Sequence, residues 1–220
     1  IEAASLARLG FTASHDAFAG PQSFLNAHHA IHDGSKQIAD WSFENFLFSS
    51  VSHKLHACCH GTHAMIEALL LLCANSTFLA DDLREIRVEI APRWQNVCDI
   101  KAPSTGLEIK FSYVFLAAMV LRGIDLAAYE SYLDRHCNDA DLVALADKVT
   151  VVGNDKIADS AARVTIYCRD DDTRSQDFDL LTPIDPAHLS TRLQAKATAL
   201  IGGAAAGDLW SLIDDLENVS

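Results

Sequence analysis

Residues 54–63 read Lys-Leu-His-Ala-Cys-Cys-His-Gly-Thr-His and run straight into the apolar segment 64–73. One lysine, three histidines and two cysteines thus stand where a strand-like run (residues 46–53) gives way to a helix-like one. Titratable side chains cost most where burial is deepest. A cluster of them at a strand-to-helix corner therefore restricts the fold to one that opens that corner onto a cleft, and it marks a candidate site.

The rest of the chain supplies a scaffold for such a corner. Half of the 220 residues are apolar, ample for a core. Residues 1–9 read as a helix closed by Gly10, and residues 21–31 as another with Pro21 at its first position. The spacing predicts a long apolar helix over 62–74 and a second over 105–122, stopped by Gly123. Ile86, Val88 and Ile90 alternate with Arg87 and Glu89, a half-buried strand. Asn138 is expected to cap a helix over 139–147. Strands are expected at 149–152, 163–168 and 178–181, the last two joined by the acidic turn Asp170-Asp171-Asp172. Helices over 186–201 and 208–216 close the chain, with a small-residue linker at 202–207.

This order predicts an α+β fold. Residues 1–35 are expected as helices of a larger helical domain, 36–184 as an α+β lid domain, and 185–220 as helices returning to the helical domain.

The net charge of −13 argues against nucleic acid or an anionic membrane as a partner, and an anionic substrate would need a local cluster of cations. No apolar run reaches the length of a membrane span. Six cysteines without framework spacing read as reduced thiols, which predicts a cytoplasmic protein.

Each candidate side chain has a plain reading beside the functional one. Lys54 could simply close a strand in solvent. Tyr113 on an apolar helix could be core with its hydroxyl satisfied. His60 and His63, three apart, share a helical face. With Cys58 or Cys59 they could also be read as a zinc site in a non-catalytic metal-binding or interaction module, although the spacing matches no standard zinc pattern. His28, His29 and His32 read as a helix surface.

Four segments in order carry a resemblance. Lys54 through His63 is similar to the Lys-x-x-x-Cys-Cys-x-x-Thr-His segment of the MmgE/PrpD family, which includes 2-methylcitrate dehydratases, cis-aconitate decarboxylases and iminodisuccinate epimerases. The stretch Ala3-Ala4-Ser5-Leu6-Ala7-Arg8-Leu9-Gly10-Phe11-Thr12, with Gly20 and Phe24, resembles another of its segments. So do Pro103 through Ser112 (P-x-T-x-x-E-x-K-F-S) and residues 139–149.

The resemblance implies the C-terminal half of a longer protein, inactive without its N-terminal half and a homodimer when complete. It implies a lyase or isomerase of di- or tricarboxylates that needs no metal or other cofactor, with dehydration of a 2-methylcitrate-like acid favoured over epimerisation or decarboxylation. Catalytic roles would fall to Lys54, His63 and Tyr113, and substrate binding to Lys54, His60, Lys110 and Cys59.

Overall fold

The alternation of Ile86, Val88 and Ile90 becomes strand β1 (Leu83–Ile90), whose apolar side chains are buried while Arg87 and Glu89 are half-exposed. The computed structural model describes residues 2–13, 51–75 and 82–216. They divide into two compact units, Ile1–Ser52 and His53–Ser220. In the first unit, helix α1 (Glu2–Arg8) is followed by Gly10 at φ +88°, the left-handed conformation that glycine adopts freely at a helix end. The expected helix over 21–31, its histidines, and most of the expected strand over 46–53 lie outside the described residues. Residues 51–53 belong to no regular element.

The second unit is α+β. Its sheet has the order β2-β1-β3-β4, with β2 (Val149–Gly153), β3 (Ala161–Cys168) and β4 (Thr173–Asp179). Strand β1 pairs parallel with β2 and antiparallel with β3, and β3 pairs antiparallel with β4. Parallel pairing demands a long crossover, and residues 91–148 supply it. Helix α2 (His63–Asn75) packs on β3 and β4, and against the helix of the crossover that begins at Tyr113. Met65, Ile66, Leu69, Ile86, Val88, Leu116, Met119, Val164 and Ile166 meet in one core, each essentially without solvent contact.

The expected single helix over 105–122 is two. After a one-turn α3 (Gln95–Cys98), helix α4 (Gly106–Ile109) opens on a capping box: Thr105 Oγ1 accepts from the Glu108 amide, and the Glu108 carboxylate accepts from the Thr105 amide. Helix α5 (Tyr113–Leu121) then starts afresh. Ser112 is extended; its hydroxyl donates to Ile100 O (2.5 Å) and accepts from the Phe115 amide (3.3 Å). A serine able to satisfy the backbone in this way competes with helix continuation.

Three further expectations are corrected. Asp139, not Asn138, caps α6 (Ala140–Ala146), its carboxylate accepting from the amides of Asp141 and Leu142. The last strand is Thr173–Asp179 rather than 178–181. Its residues are polar, and at the sheet edge they satisfy themselves across the strand pair, Asp177 taking both arms of Arg163 (2.6 and 2.8 Å). Finally, α7 (Pro186–Ile201) is broken only at Gly202 (φ +83°), and α8 (Gly203–Asp214) begins at once. Three alanines are good helix formers, so the small-residue stretch is helix and not linker.

Candidate functional site

The cluster of residues 54–63 folds as an extended entry, a 3₁₀ turn at His60–Thr62, and the first residue of α2. Backbone bonds pin it at both ends of the turn. The Ala57 amide donates to Leu126 O (2.8 Å) and the Cys59 amide to Lys110 O (3.0 Å). Thr62 donates its hydroxyl to Cys59 O (2.7 Å) and lies 3.2 Å from the Cys58 thiol. Tyr113 is fully buried, and its hydroxyl donates to Gly61 O (2.7 Å), holding the turn from below. A methyl group on Gly61 would collide with the Trp94 indole, so the backbone passes where only glycine fits.

On this frame three imidazoles converge. The ring of His63 lies 5.1 Å from that of His56 and 5.2 Å from that of His60. His63 is 1% exposed, and its Nε2 has no hydrogen-bond partner. Such an atom is rare in a folded protein and calls for a ligand or a role. Burial, with the charges of His56, His60 and Lys54, depresses the proton affinity of His63 to a pKa of about 3, so the ring is neutral near pH 7. His60, half-buried, is lowered by burial and by Lys54. Lys54 is exposed, and its ammonium lies close enough to act on both rings.

Sequence reasoning missed the groups that complete the cluster. His56 Nε2 lies 2.7 Å from Glu67 Oε1, and the same carboxylate takes both arms of Arg192 at 2.7 Å each. Burial pushes the Glu67 carboxyl up, but the His56 and Arg192 contacts outweigh it and hold the group at a pKa of about 2. Lys196, one turn beyond Arg192 on α7, donates to the Lys54 carbonyl; burial and the Lys54 charge lower its proton affinity. Glu67 had a visible signal, being the one charge within the apolar stretch 64–73. Arg192 and Lys196 had none, because i, i+4 cations on an exposed helix look like any solvated face.

The remaining expected site residues make contacts of their own. The Lys110 ammonium is stacked over the rings of Tyr129 (4.8 Å) and Tyr132 (4.9 Å). Cys59 is half-buried, its thiol hydrogen-bonded with that of Cys98. Burial raises the pKa of both Cys58 and Cys98, so these thiols are unreactive packing groups. No three histidine, cysteine or acidic side chains among the described residues are grouped to hold a metal ion, and no helix among them is long and apolar enough to cross a membrane.

The arrangement can bind an anion. Lys54 and Lys196 stand beside three imidazoles, and the Glu67 carboxylate among them is already engaged by Arg192 and His56. A comparison with curated proteins gave no significant match. Residues 56–206, which contain the imidazole cluster, Glu67, Arg192 and Lys196, match the MmgE/PrpD C-terminal domain, and the chain therefore belongs to the MmgE/PrpD family, whose members include lyases and isomerases.

Proposed function

We propose that this domain supplies the cationic wall and a proton-transferring group for a cofactor-independent lyase or isomerase of di- or tricarboxylates, dehydrating a 2-methylcitrate-like 2-hydroxy acid. The observation that supports it is the gathering of Lys54, Lys196, His56, His60 and the unpartnered His63 in a chain of net charge −13.

The chemistry follows from charge. Removing a proton from a carbon next to a carboxylate sends an electron pair onto the carboxylate oxygens, and fixed cations offset the developing charge. Lys54 is exposed and able to meet one carboxylate directly, a charge-assisted contact. His63 is held neutral by burial and by its cationic neighbours. A bound polyanion offsets those neighbours and raises the proton affinity of His63 toward neutrality, so that its ring adds positive charge facing the substrate carboxylates. Tyr113 holds the turn that carries His60. Epimerisation and decarboxylation of related acids need the same charge stabilisation.

Citrate is the probe. Titration calorimetry should show binding that weakens with salt, and Lys54→Ala should weaken it by at least about tenfold, the value of one charge-assisted contact. No binding at millimolar citrate, or equal binding by the variant, would sink the reading.

A further inference from the structure

The ion pair between Glu67 and Arg192 joins positions 125 residues apart and encloses one edge of His56. A pair intended only to fasten α7 would not need a third, titratable partner on the same oxygen. Here Glu67 Oε1 contacts both His56 Nε2 and Arg192, while Oε2 contacts Arg192 alone. An ionised carboxylate only accepts hydrogen bonds, so the proton between it and the ring belongs to Nε2.

We infer that Glu67 is a positioning residue for His56: it fixes the ring with Nε2–H toward the carboxylate and leaves Nδ1 as the nitrogen that exchanges a proton with a bound carboxylic acid. Only the last clause rests on the proposed function. Arg192 anchors the carboxylate by its planar fork, so the ring has one orientation. Although buried, His56 lines a cavity of about 200 Å³ with Ile66, Leu70, Val120, Ile124 and Asp125.

The proton step balances. Nδ1 takes the proton from the carbon beside a substrate carboxylate; the C–H bond breaks, N–H forms, and the electron pair spreads onto that carboxylate. The imidazolium so formed faces the Glu67 anion, which offsets its charge. Returning the proton to a leaving hydroxyl breaks the C–O bond, releases water and restores the neutral ring. The charged and titratable groups around His56 are Glu67 and His63 from α2, Arg192 and Lys196 from α7, Asp125 across the cavity, and Lys54 and His60 on its own segment.

Nitrogen-15 NMR of the histidine rings in the 220-residue chain tests the assignment. Wild-type His56 should carry its neutral-state proton on Nε2. Glu67→Gln, which keeps the volume and an acceptor oxygen, should lower the proton affinity of His56 by at least about tenfold. Arg192→Gln should raise it, because it removes a cation and leaves Glu67 unshared. A merely structural pair would move the ring in the same direction in both variants, and that result would overturn the inference, as would a proton on Nδ1 in the wild type. Added citrate should shift the Nδ1 resonance of His56. A shift confined to other histidines removes His56 from proton exchange. No shift in any histidine counts against the proposed function, and the tautomer and the paired variants then still decide the positioning role.

Discussion

His63 concentrates the physical conflict in this domain: a titratable ring at the first position of an apolar helix, 1% exposed, with one nitrogen unpaired. Its pKa in the folded chain, about 3, lies below the ordinary histidine value of 6.5. A depressed pKa means that the unfolded state binds the proton more tightly. The stabilisation is therefore complete above pH ~6.5 and is lost as the pH falls toward ~3. His63→Gln should flatten the dependence of the urea midpoint on pH across that window, and an unchanged slope would contradict the burial of a neutral ring. Lys54 and Tyr113, nine and fifty residues from it in sequence, reach the same turn by different means: one through its charge, the other through a hydrogen bond to Gly61 O.

At the level of elements, the ends of helices decided more than their middles. Asp139 accepts two amides at the start of α6, so Asp139→Ala should cost about 1 kcal/mol in chemical denaturation, whereas Asn138→Ala should cost much less. Apolar periodicity located α2 and β1 because each buries one coherent face or run. It joined α4 to α5 because both are apolar, and the break lies in what Ser112 bonds to, Ile100 O and the Phe115 amide, which no window of sequence contains. The last strand lies at Thr173–Asp179 and not at the expected 178–181, because an edge strand that buries little carries no apolar alternation and its pairing comes from β3.

Across the whole second unit, α7 buries no side chain fully and is tied to the imidazole cluster by Arg192 and Lys196. Breaking a partly buried charge pair removes more than its Coulomb energy, because the partner is left uncompensated. Arg192→Gln should therefore speed amide hydrogen exchange throughout α7 and α8 while β1 and β3 keep their protection. Equal acceleration in the sheet would show that α7 is integral to the core and not docked on it. By itself the sequence determined the α+β class, through local periodicity, the titratable cluster at residues 54–63, through residue types, and the family, through the resemblance of four segments in order. Only the tertiary structure decided that His56 pairs with Glu67, that Arg192 and Lys196 arrive from the far end of the chain, and that the Lys110 ammonium lies over two tyrosine rings. Local pattern encodes which face of an element is apolar; which charges meet is fixed by how those faces pack, over separations that no local pattern spans.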